Sequence, residues 1–234
     1  MIAVGSAGSP GVETLLVKSG RVSAEDWEAA LAESAGPRSL AAALVTRCGL
    51  EAAEVHALAR AALRDAAFAV AAGDVEKCAV VGDSGETPLL TTGGGVAPGL
   101  VLADVADRLH EIAALPFPLS PYRDRVVAAG GTDPSGLPAP RREIVAHATG
   151  RRSARDIAFA VGRGLHPVTV EISRMLGEEL LEIAPLATAF SFSHRGLPSL
   201  RPRVAAGRTS GKEQHWTTTP WPPNCGSSGR TSPG

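Results

Sequence analysis

The sequence predicts a mainly α-helical fold, and three observations carry that expectation. Apolar residues recur three and four positions apart through most of residues 23–180. Strand-like signals are confined to one short stretch, residues 76–92. Aromatics make up only 4% of the 234 residues, so the core must be built from Ala, Val, Leu and Ile, which suit packed helices with small contact residues. The apolar share of 44% is normal for a globular chain, and the length allows one or two domains with real cores.

The elements follow in order. Residues 1–12 are rich in Gly, Ser and Ala and show no periodicity. Leu15, Leu16 and Val17 then lead to Ser23, which with Asp26 three residues on fits a capping box at a helix start. Trp27, Ala30, Leu31 and Ser34 fall on one face of that helix. A second helix is predicted from Leu40 to Cys48, ended by Gly49, and a third from about Glu51 to Val70, closed by Gly73. Val55, Leu58, Ala62 and Leu63 carry the third helix's apolar spacing. Cys78–Val81, a turn at Gly82–Gly85 and then Leu89 and Leu90 read as a hairpin. Pro98 suits a helix start, with Leu102, Val105, Leu109 and Ile112 as its stripe, stopped by Pro116 and Pro118. Residues 130–140 (GGTDPSGLPAP) have the composition of a linker.

Residues 141–185 predict three short helices. The first runs Arg141–Thr149 with Ile144, Val145 and Ala148 inward, ended by Gly150. Ser153 and Asp156 repeat the capping-box pattern and open the second, with Ile157, Ala158 and Val161 inward. Gly162–Leu165 turns the chain, and Pro167 sits at the start of the third helix, whose apolar positions are Val168, Ile172, Met175, Leu176 and Leu180. After Pro185 the character changes abruptly. Residues 186–234, rich in Ser, Thr, Pro, Gly and Arg with Trp216 and Trp221 stranded among them, predict a disordered tail.

Charge and cysteine usage narrow the function classes. Residues 1–185 carry a net charge of −6, whereas Arg195, Arg201, Arg203, Arg208, Lys212 and Arg230 against Glu213 give the tail +5. An acidic body argues against a large nucleic-acid surface. Cys48, Cys78 and Cys225 are scattered and odd in number, which speaks against a disulfide scaffold or a zinc site. No signal peptide or membrane-spanning run is legible, so a cytoplasmic location with no membrane partner is expected. Gly93–Gly95 lacks the Lys and Ser/Thr of a phosphate loop, and Ser84 lacks the glycine spacing of a nucleophile elbow. His56, His110, His147, His166, His194 and His215 form no pair at i,i+4 with a nearby acid. The reading is a non-enzyme, with no catalytic residue, metal site or cofactor.

One motif remains. Ile157, Ala158, Gly162 and Val168 occupy the spacing of a helix-turn-helix, with a small residue where the helices touch and a glycine able to take positive φ in the turn. The following helix would enter a major groove, and His166, Thr169 and Arg174 are its candidate base readers. Residues 141–163 hold six Arg against Glu143 and Asp156, and Arg151, Arg152 and Arg155 are the candidate phosphate contacts. Glu171, Glu178, Glu179 and Glu182 on and after the reading helix weigh against sequence-specific DNA binding. Three packed helices without a nucleic-acid role fit the same pattern.

Two segments carry a resemblance. The runs LLVKSGRVSAEDWEAALAES and LVTRCGLEAAEVHALARAALRDAAFAVAAG resemble the helical half of a PATAN-type domain, found in bacterial signalling and regulatory proteins that include partners of small GTPase systems. RREIVAHATGRRSARDIAFAVGRGLHPVTVEISRMLGEELLEI resembles the winged-helix-like module that often follows it, in proteins commonly called transcriptional regulators, some of the MarR type. The likeness spans roughly residues 10–185 and implies no catalytic residues. It implies a helical interaction domain over 10–129, an α+β remnant whose leading strands the chain lacks because it starts near their end. The linker at 130–140 and a winged-helix-like domain at 141–185 follow, with a wing hairpin due after Ile183. The reading is a transcriptional regulator-like protein, a helical interaction domain coupled to a winged-helix-like DNA-binding module; the alternative is a signalling adaptor whose two modules bind proteins without DNA. Either is compatible with a homodimer. Basic and polar readers on the third helix would favour DNA, and acidic or apolar surface would favour a protein.

Overall fold

The computed structural model describes residues 5–36, 38–74, 90 and 95–185. The protein is mainly α, with eight α-helices and one three-stranded sheet among those residues. Helices α1 (Val12–Val17), α2 (Ala24–Ser34), α3 (Leu40–Cys48), α4 (Ala52–Ala72) and α5 (Pro98–Ala113) come first. Strand β1 (Arg125–Ala128), α6 (Ala139–His147), β2 (Thr149–Ser153), α7 (Ala154–Val161), α8 (Leu165–Gly177) and β3 (Leu181–Ile183) follow. The anticipated hairpin at 76–92 and the tail from 186 fall, apart from Leu90, outside the described residues, as does any wing beyond Pro185.

Local chemistry explains the helix ends. The Ser23 hydroxyl accepts the Asp26 amide at 3.0 Å, and the Ser39 hydroxyl accepts the Ala42 amide at 3.3 Å, so α2 and α3 begin at hydroxyl caps. Proline opens α5, where a missing amide costs nothing. The stripe on α5 differs from the predicted one. Val101, Val105 and Ile112 are buried, while Leu102 is 69% and Leu109 37% exposed. The inward face runs one residue earlier, through Arg108, because Arg108 faces the buried Asp65 of α4.

Two apolar clusters form the core. The first gathers Leu16, Val22, Trp27, Leu40, Leu44 and Val55 from α1, α2, α3 and the early part of α4. The second joins Phe68 and Ala69 of late α4 and Ile112 of α5 to Val126, Ile144, Ile157, Leu165, Ile172, Met175 and Leu181. The core therefore does not divide at residues 130–140. That stretch is a short 3-10 turn, Pro134–Gly136, leading into α6 rather than a free linker.

The sheet also crosses the anticipated boundary. Its order is β2-β1-β3, all antiparallel, so the central strand precedes α6 in the chain. β1 pairs Val126 with Ile183 and Ala128 with Leu181 on one side. On the other, Arg125 faces Ser153 and Val127 faces Thr149, which leaves two extra residues on β2. Gly150 lies in that bulge at φ 76°, so it bends a strand instead of ending a helix.

A fragment limited to residues 135–185 would lack β1 and the side chains of Phe68, Ala69 and Ile112. It should show no cooperative thermal transition by circular dichroism, whereas a chain of residues 5–185 should melt in one step. A cooperative melt of the short fragment would mean the second cluster closes without α4 and α5.

Candidate functional site

The helix-turn-helix expected from sequence is present as α7, a turn and α8. A full capping box opens α7: the Ser153 hydroxyl accepts the Asp156 amide at 3.3 Å, and the Asp156 carboxylate accepts the Ser153 amide at 3.0 Å. Burial pushes the Asp156 carboxyl up, but the Ser153 amide and hydroxyl, with Arg155 and Arg125, hold it below the usual carboxylate range. Gly162 ends α7 in the left-handed region at φ 65°, and its amide reaches the Ala158 carbonyl.

The start of α8 is unusual. Its N-cap is Gly164, which has no side chain to offer the bare amides of the first turn. Asp65 of α4 takes that role. Its carboxylate accepts the Leu165 amide at 2.5 Å and the His166 amide at 2.9 Å. Arg108 Nη1 lies 3.8 Å from Asp65, while Arg108 Nε donates to Asp104 at 2.8 Å. Burial pushes the Asp65 carboxyl up, against the pull of the two amides and Arg108 toward the charged form.

This docking turns α8 inward. Thr169, a candidate reader, is fully buried and its hydroxyl donates to the Leu165 carbonyl at 2.8 Å. His166, a second candidate, is half-buried, with its ring meeting Phe68 edge-on at 5.1 Å. Of the three, Arg174 alone is exposed, 3.8 Å from Glu171. The Ser173 hydroxyl donates to the Phe117 carbonyl at 2.7 Å and buries another polar position of the helix. The outer stripe of α8 is thus Pro167, Glu171, Arg174 and Glu178. Arg141 of α6 spans it, donating to Glu171 at 2.6 Å and to Glu178 at 2.6 and 3.0 Å.

The candidate phosphate contacts scatter. Arg151 is exposed on β2 and its carbonyl accepts the Arg125 guanidinium of β1. Arg152 is half-buried and donates to His147 Nδ1. Arg155 is half-buried, stacks over Phe159 at 5.0 Å and donates to the Ala7 carbonyl at 2.7 Å. A cavity of about 350 Å³ opens between α6 and α8, floored by Ile144 and Val168. Both guanidiniums lining it are already engaged, Arg141 with Glu171 and Glu178, and Arg163 with Glu143 at 2.8 Å. Among the described residues no cluster of His, Cys, Asp and Glu could hold a metal ion, and no helix is long and apolar enough to cross a membrane.

Sequence reasoning missed Asp65 and Arg108. The available signal was an acid between Leu63 and Ala66, on the face that also carries Phe68 and Ala69. A lone carboxylate on such a face needs a partner. No protein family, curated protein or solved structure matches this chain.

The turn residue gives a sharp test. A Cβ on Gly162 would lie 2.7 Å from the Lys18 Cβ and 2.8 Å from the Ser19 amide nitrogen, besides demanding positive φ from an L side chain. Gly162→Ala should cost roughly 2 kcal/mol or more by denaturant melts, from backbone strain and overpacking together. An unchanged midpoint would mean that the end of α1 does not press on the turn.

Proposed function

We propose that this chain is a non-enzymatic signalling adaptor whose helical and winged-helix-like parts bind protein partners and read no DNA sequence. The observation that carries this reading is the burial of α8. A groove-reading helix must offer free polar side chains near its start. Here Thr169 is buried, His166 packs on Phe68, and the outer stripe is held by the Arg141 bridge to Glu171 and Glu178. What the protein exposes instead is apolar and acidic. α5 turns Leu102 and Leu109 to solvent, and Glu178, the C-cap of α8, is exposed. Such apolar surface suits a protein partner. The resemblance to PATAN-type signalling proteins supports the same reading.

One observation favours a second, weaker activity. Arg142 and Arg151 are exposed and have no carboxylate partner among the described residues, which fits sequence-independent contact with phosphates.

Selection of the full chain against a random duplex library separates the two readings. No sequence should be enriched. An enriched site that Arg174→Ala abolishes would overturn the adaptor reading. Any residual binding should depend on salt through Arg142 and Arg151, so of the three candidate phosphate contacts only Arg151 should matter. The Arg151→Ala variant should lose about 0.9 in log–log slope, most of what the triple Arg151, Arg152 and Arg155 alanine variant loses. A loss of about 2.7 shared equally by the three would place all of them on phosphates.

A further inference from the structure

The joint between α4, α5 and α8 contains a titratable ring in a confined place. His166 is the second residue of α8, at the positive end of the helix dipole. Its ring meets Phe68 of α4 edge-on, with 5.1 Å between centroids and 78° between planes. Nε2 lies 3.3 Å from the Glu111 carboxylate of α5, but the nitrogen is buried and the pair is not aligned as a hydrogen bond. The other charges facing it are Asp65 on α4 and Asp104 and Arg108 on α5, with Arg64 of α4 3.7 Å from Asp104. Arg163, just before α8, points instead to Glu143 of α6. The His166 amide is itself one of the two bonds that fasten α8 to Asp65.

We propose that His166 is a pH-sensitive latch, holding the amino end of α8 against α4 and α5 when neutral and loosening it when protonated. A proton on the ring would place a cation against Arg108, a helix amino end and an apolar ring, with Glu111 poorly aligned to compensate. Burial and Arg108 accordingly hold the imidazole below the usual 6.5 of histidine, outweighing Glu111, Asp65 and Asp104. The folded state therefore binds this proton less readily than the unfolded chain. The contribution is fully present above about pH 6.5 and is lost as pH falls through the depressed value. Asp65 works with the opposite sign. Its raised carboxyl gives a contribution present at low pH and lost as pH rises through its own value, so global stability alone would mix the two. The latch depends only on this joint, whichever macromolecule the chain binds.

The test reads the ring and its neighbours directly in the full chain. An NMR titration from about pH 8 to 5 follows the His166 imidazole, and hydrogen exchange follows the Leu165 and His166 amides, corrected for intrinsic pH dependence. The imidazole midpoint should lie below 6.5, and protection of both amides should fall with that midpoint while the Ile172 amide keeps its protection. In His166→Phe, which keeps an aromatic ring against Phe68, amide protection should no longer follow that transition. A midpoint at or above 6.5, or amides indifferent to the titration, would overturn the latch. If His166→Phe does not fold, the two wild-type measurements still decide.

Discussion

The capping of α8 by a side chain from α4 is the constraint on which the arrangement rests. The first turn of any helix leaves amides without partners, and a buried orphan amide costs about 1–3 kcal/mol. Gly164 cannot supply the missing acceptor, so the acceptor comes from Asp65, a hundred residues earlier. Close approach is built into the pair. A Cβ on Gly164 would sit 3.2 Å from the Asp65 carboxylate. Once Asp65 is buried its charge needs company, and Arg108 provides it, which rotates α5 so that Leu102 and Leu109 face water. The orientation of α5 and the inward turn of Thr169 and His166 thus follow from one carboxylate.

What could be read from sequence was whatever depends on neighbours in sequence. The hydroxyl caps at Ser23 and Ser153, the span Leu40–Cys48 and the turn at Gly162 are decided within a few residues, and all appear where their local chemistry puts them. The sheet was not legible for the opposite reason. TGRRS carries a glycine and two arginines and shows no alternation, yet it becomes a strand because β1 offers it a partner and a bulge absorbs its excess length. Half of the stripe on α5 failed similarly: Val105 and Ile112 are inward, but Leu102 and Leu109 face out. Leucine is the better guess for an inward position on hydrophobicity alone, and only the distant Asp65 makes arginine the inward residue. The helix-turn-helix motif was legible as geometry, but its spacing could not tell which face of α8 the α4–α5 pair covers.

The arginine cluster makes the same point at the level of charge. Six arginines within residues 141–163 suggest a phosphate-binding surface when counted along the chain. In the fold, Arg141 bridges two glutamates, Arg163 pairs with Glu143, Arg152 donates to His147 and Arg155 reaches back to the Ala7 carbonyl. These half-buried groups tie α6, β2 and α7 to their neighbours. What remains for an external anion is Arg142 and Arg151.

The two attachments of the α7–α8 unit also bear on whether a hidden reading helix could open on demand. Asp65 grips the amino end of α8, and Lys18–Ser19 closes over Gly162 at the turn before it. Swinging α8 outward would have to break both. Exchanging the two amide–carboxylate bonds for bonds to water costs about 3 kcal/mol, which leaves about one molecule in a hundred open. Any duplex that required the open form would then bind about a hundredfold more weakly than its contacts allow. Withdrawing Phe68 and Ile112 from the second core cluster would lower that fraction further. A partner that recognises the closed surface meets no such penalty. The two attachments therefore oppose an outward swing of α8.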